Sequence, residues 1–209
     1  GAAIGFLLNE AGKQEQTNVA FETIIGDAER AKQEVAALHD FAANTPFTIP
    51  GIEKNSKLLL GMGIELDRNI PTLKFLGDVA SGLSVPLERL ALNFGQVKAQ
   101  GKLTGRELRD FAVAGVPLLS ELAKQLNKSE SEVQSMISKG KIGFPLVEQA
   151  SISMSSAGGK FENLMQKQSK TLKGLISNAM DFGILFSREL GKEILPLAKE
   201  VVTQMLDWV

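Results

Sequence analysis

From Ile52 to Ser153 the chain is cut into short runs with helical apolar spacing, each bracketed by a cap, a glycine or a proline. This punctuation restricts the fold more than any other feature, because it leaves room for short helices and little else. The spacing predicts helices near Ile52–Met62, Ile70–Gly82, Pro86–Gln100, Thr104–Ala114, Pro117–Asn127, Ser129–Lys139 and Gly143–Ser153. Two starts, Thr104-Gly-Arg-Glu107 and Ser129-Glu-Ser-Glu132, fit the capping box. There the hydroxyl takes the N–H three residues on and the glutamate reaches back. Pro86 and Pro117 are expected in first turns, where a missing N–H costs nothing.

The two ends read differently. Asp27 is placed to cap a helix that carries Val35, Leu38, Phe41 and Ala42 on one face and stops at the Asn44–Gly51 stretch with its two prolines. Ahead of it, Asn18–Ile25 alternates apolar and polar residues, which admits one short strand. After Ser155-Ser-Ala-Gly-Gly-Lys160, one or two long helices run to Val209, with Leu172, Leu175, Ala179, Phe182, Phe186 and Leu190 at steps of three and four. Pro196 should break or kink that run. Fifty helical residues would reach about 75 Å, so the segment either protrudes, pairs with another chain or folds back at Pro196. The expected fold is all-α: a compact domain of short helices over residues 1–157, then a long helical segment over 158–209 that begins a rod or forms a hairpin.

Composition narrows the chemistry. The 209 residues carry a net charge of −1, so the basic excess usual in a nucleic-acid module is missing. With no cysteine and a single histidine, His39, disulfides, thiol catalysis and His-rich metal sites are all excluded. No apolar run approaches the ~18 residues of a membrane span. The opening Gly-Ala-Ala-Ile-Gly-Phe has no basic region of the kind that begins a secretory signal.

Three stretches invite a chemical reading. Leu118–Ile142 looks like a helix-turn-helix DNA reader, with Asn127-Lys128 as the turn. Yet its second helix opens with Glu130 and Glu132, where a reader would meet phosphate. Lys139 and Lys141 stand at the far end, where they suit a helix C-terminus. Glu148–Gln166 loosely resembles a lytic transglycosylase motif, but Gln149 stands where a serine should follow the glutamate and Asn163 where a glycine should precede Leu164. The lysines at 160, 167, 170 and 173 form a mild basic stripe that suits a solvated helix face. Asp40 follows His39 directly, and neighbouring helix residues point about 100° apart, so the two do not make a dyad. No catalytic, cofactor-binding or metal-binding residue is assigned.

The order of the segments carries a resemblance. Ala37–Ile64 has a helix ending Phe-Ala, a Thr-Pro-Phe turn and a Leu-rich helix. Leu76–Ile142 runs from Gly-Asp-Val-Ala through a Gly-Gln helix, a Lys-Leu turn, a Glu-Leu-Arg helix and Gly-Val-Pro to the helix-turn-helix-like corner. Gly158–Asp181 follows with Gly-Gly-Lys-Phe and Gln-Ser-Lys-Thr. From about Phe21 to Asp181 this series resembles the tape-measure domain of tailed-phage and prophage tails. The resemblance implies a non-enzymatic structural protein of the virion, held in the tail-tube lumen after assembly in the host cytoplasm. It implies contacts with tail tube subunits, with tail assembly chaperones and with sister copies through the C-terminal helix, and it implies no specific nucleic acid and no cofactor.

Overall fold

The computed structural model describes residues 2–206, and among them there are eleven helices and no strand. They are α1 (Ala2–Ile25), α2 (Ala28–Ala43), α3 (Ile49–Gly61), α4 (Leu66–Leu83), α5 (Leu87–Gln100), α6 (Gly105–Val113), α7 (Leu118–Leu126), α8 (Glu130–Ser138), α9 (Phe144–Ser155), α10 (Leu164–Ser169) and α11 (Leu172–Leu206). The central helices lie close to the positions that the punctuation predicts. Asp27 caps α2 by accepting from the Arg30 N–H, and Ser129 forms the full capping box with Glu132. Thr104 departs from expectation: its hydroxyl accepts from Arg106, two residues on, and donates its own proton to Glu107. Pro86 and Pro117 are the residues just before α5 and α7, one position earlier than expected.

One core joins α1 through α9. Its centre is an edge-to-face aromatic row in which Phe94 of α5 lies 5.2 Å from Phe75 of α4 and 5.1 Å from Phe144 of α9. Leu38, Ile52, Leu59, Leu73, Leu90 and Leu103 fill the space around it, all fully buried. The loops at Gly101–Leu103 and Ile142–Phe144 are clamped by backbone bonds from Leu103 N–H to Ile142 O and from Phe144 N–H to Gly101 O. The three short helices α6, α7 and α8 therefore hang as one unit from a closed neck.

Two expectations are overturned at the ends. Asn18–Ile25 is not a strand but the last two turns of α1. The buried positions of this helix, Glu10, Ala11, Gln14, Thr17 and Phe21, follow helical spacing. Three of the five are polar and a fourth is alanine, so apolar periodicity shows little of them. Pro196 neither ends α11 nor folds it into a hairpin. It is exposed, so water can satisfy the Lys192 carbonyl whose bond the proline removes. As one rod, α11 is about 52 Å long.

The Ser156–Asn163 turn brings α10 onto α4. A side chain at Gly159 would meet the Ser153 and Met154 carbonyl oxygens at 2.5 and 2.6 Å, so only glycine fits. The Met165 N–H donates to Asp78 Oδ1 at 2.9 Å and Gln168 Nε2 to the Ser81 carbonyl at 2.6 Å. Burial raises the Asp78 carboxyl above its ordinary range, with the Met165 N–H working against the shift.

Two predictions follow from the core. Phe94→Ala should cost about 3–5 kcal/mol in urea unfolding, whereas Phe182→Ala on the open face of α11 should change stability by less than about 0.5 kcal/mol. Glu34 of α2 is buried, one of its oxygens has no partner, and burial raises its pKa to about 7. A raised acid binds its proton more tightly in the folded state, so its contribution is present at acid pH and lost as pH climbs from about 4.5 to 7. Glu34→Gln should thus raise the melting temperature by a few degrees (about 2–4 °C per kcal/mol) at pH 8 and barely at pH 4.

Candidate interaction surfaces

The helix-turn-helix-like corner forms as its caps dictate. Asn127 closes α7 in the left-handed conformation, and Ser129 opens α8. Bonds from the Ser129 backbone and hydroxyl hold the Glu132 carboxyl below its ordinary pKa, so it remains an anion at the helix start. The back of the corner is tied to α9 by Gln125 Nε2 donating to Gln149 at 2.6 Å and Ser153 Oγ donating to Glu121 at 2.7 Å. On its open side α6, α7 and α8 enclose a groove of about 810 Å³ floored by Leu108, Ala112, Val116, Leu119 and Ile137. Val113 stands 69% exposed beside it.

The other residues singled out in the sequence are dispersed. Glu148 pairs with Arg68 at 2.8 Å. His39 turns away from Asp40 and meets Glu53 Oε1 at 2.8 Å. Lys160 lies over the Phe161 ring and Lys167 donates to the Glu162 carbonyl. The side chain of Lys173 falls outside the described residues, as do those of Leu172, Val202 and Met205 and all of Trp208. Among the described residues no three His, Asp or Glu are placed to hold a metal ion, and no helix is long and apolar enough to cross a membrane.

What composition and motif could not show is how α11 is held. Arg188, only 3% exposed, is the focus. Its Nη1 donates to Glu53 Oε1 at 2.7 Å and to Gln14 Oε1 at 2.8 Å, while its Nε lies 3.9 Å from Glu10 Oε2 and makes no hydrogen bond. Thr17 and His39 complete the shell around Glu53. Burial alone would raise the Glu53 carboxyl, but the bonds from His39 and Arg188 outweigh it and hold the group below its ordinary range. One turn away, Gly191 lies against α1, where a Cβ would sit 2.6 Å from the Leu7 carbonyl oxygen. At the other end Asp181 accepts the Ile49 N–H at 3.1 Å, capping α3 from a distance of 132 residues in sequence. Burial raises the Asp181 carboxyl, with the Ile49 N–H opposing. The signal for this site was present in the helical spacing of Glu10, Gln14 and Thr17, polar residues that apolar patterning passes over.

With that face docked, α11 turns its other side to solvent. Leu175, Phe182, Phe186, Leu190, Leu197 and Val201 are all exposed and span about 39 Å of helix. Phe182 (72% exposed) and Phe186 (58%) stack with ring centroids 6.5 Å apart. An apolar stripe of this length on a folded surface is a candidate contact surface.

Replacing Arg188 alone leaves the buried Glu53 carboxylate without its guanidinium partner, while Glu10 keeps its pair with Lys13 at 2.6 Å. Arg188→Met should cost about 3–5 kcal/mol, and Arg188→Met with Glu53→Leu should recover most of that loss. Urea unfolding of the variants at pH 7 checks both.

No curated protein and no solved structure matches the chain. A family model described as "Tape measure protein" matches residues 7–190, nearly the whole described chain and more than the Phe21–Asp181 span that the sequence resemblance covers. An all-α body carrying a long helix with an outward apolar stripe accords with that match, and the chain belongs to the tape measure protein family.

Proposed function

We propose that this chain contributes to setting tail length in a phage or prophage tail, as a structural part of the tape measure and not as a catalyst. The family match over residues 7–190 is the observation that carries the reading. Physically, a helix advances a fixed ~1.5 Å per residue, so a helical chain converts residue count into distance. The compact body, residues 1–157 with the α10 turn that packs on α4, is the positional anchor. The long helix within 158–209 begins the rod. The exposed stripe of α11 supports pairing with sister copies, and the remaining surface is available to tail tube subunits and assembly chaperones. In the virion the chain occupies the tail-tube lumen, which it enters during assembly in the host cytoplasm.

Other readings lack a supporting observation. A DNA reader would present cations at the start of α8, where Glu130 and Glu132 stand. A glycan hydrolase of the transglycosylase type would need Glu148 poised as an acid, and that carboxyl is paired with Arg68.

Inserting about 70 helix-coding codons directly after Val209 in the phage gene should lengthen virion tails by about 105 Å in electron micrographs. Tails of unchanged length would contradict the ruler reading.

A further inference from the structure

Among the described residues, two apolar surfaces stand open: the groove of the α6–α8 corner and the outward stripe of α11. We infer that they are partners of each other between copies, the α11 helix of one chain lying in the α6–α8 groove of the next. The inference deepens the sister-copy pairing proposed above, and it specifies an acceptor that is not another α11.

Shape supports the fit. A groove of about 810 Å³ is in the range that encloses a compact apolar ligand, roughly 300–1,000 Å³. Phe182, Phe186 and Leu190 fall at i, i+4 and i+8, the spacing by which an amphipathic helix presents anchors to a groove. The Phe182 and Phe186 rings are already stacked, so little side-chain freedom is lost on docking. While α11 is held on α1 by Arg188 and Gly191, its stripe faces solvent and cannot enter its own groove.

Charge supports the identity of the occupant. One flank of the stripe carries Glu189 and Glu193, three and seven residues after Phe186 and therefore beside it on the helix. The opposite flank has Gly183 and Ile194 and no charge. The groove shows the matching asymmetry. The α6 rim bears Arg109, with Arg106 one turn earlier on the same face and Val113 one turn later. The α8 rim offers Gln134, with Glu130 as its acid. Arg106, Arg109 and Glu193 are in no ion pair among the described residues, and the pair between Glu189 and Lys192 is exposed and exchanges at little cost. Placing the Glu flank against the Arg rim satisfies both and sets the direction of the helix in the groove.

The two surfaces differ, so the contact is heterologous. Each chain has one free helix and one free groove, and association continues head to tail unless a ring closes. That property gives a decisive test. Ala112→Trp fills the groove from an exposed position, and Phe182→Ser with Phe186→Ser strips the helix at exposed positions. In light scattering at low salt the wild-type chain should grow in mass with concentration. Either variant alone should associate about tenfold or more weakly. Mixed one to one, the groove-blocked and helix-stripped chains should form a discrete dimer, since each still holds the half that the other lacks. Arg109→Glu mixed with Glu193→Lys should restore head-to-tail growth, since the reversed rim accepts the reversed helix and the two unchanged halves still fit, which guards against a folding defect in the first pair. A wild-type chain that stays monomeric overturns the inference. So does undiminished assembly of Ala112→Trp, the result expected if α11 pairs with α11. Two complementary mixtures that remain monomeric overturn it as well. A ruler whose helices pair with one another would still pass the tail-length test and fail this one.

Discussion

The buried guanidinium of Arg188 fixes how the two ends of the chain meet. It draws Glu53 from α3 and Gln14 from α1 into bonds of 2.7 and 2.8 Å, with Glu10 close by, in a space that excludes water. A buried ion pair adds little net stability when weighed against an apolar replacement, because desolvation offsets the attraction. It does impose geometry: α11 can rotate or slide on α1 only by stranding charges. Gly191 against the Leu7 carbonyl and Asp181 on the Ile49 N–H set the same register by close contact and by a cap. With that face of the helix held, its outward face is determined, and the aromatic stripe is presented at one angle instead of many.

That division explains why the sequence was readable in its middle and opaque at its ends. Between Ile52 and Ser153 each helix has a local reason to begin and stop, such as Ser129 with Glu132, Asn127 in the left-handed region or Asp27 further upstream. Local chemistry of that kind is written in adjacent residues. The buried face of α1 is Glu10, Ala11, Gln14, Thr17 and Phe21, mostly polar, so alternation at Asn18–Ile25 looked like a strand. Its helical state depends on partners more than 30 residues away, which no window of neighbouring residues contains. Pro196 misled for the opposite reason. A local rule says that proline ends a helix, but an exposed proline deep in a docked 35-residue helix forfeits a single bond that water replaces.

The candidate surfaces were legible in halves. The three- and four-residue steps of Leu175, Phe182, Phe186 and Leu190 are visible in the sequence, and so is the corner at Leu118–Ile142. What the sequence hid is that the corner is closed at its neck by the Leu103 and Phe144 backbone bonds, so that three nine-residue helices cup an apolar groove. The acidic start of α8, which argued against DNA, becomes one wall of that groove. A motif that resembles a nucleic-acid reader is thereby explained by packing, in a chain of the tape measure family.

Hydrogen exchange of the intact chain, read by mass spectrometry across α11, addresses the central claim that this helix is docked by its polar node and not merely helical. Amides from about Gly174 to Gly191 should exchange as slowly as those of α1 that face them, with protection falling beyond Lys192. Uniformly rapid exchange along α11, with α1 protected on its own, would contradict the account.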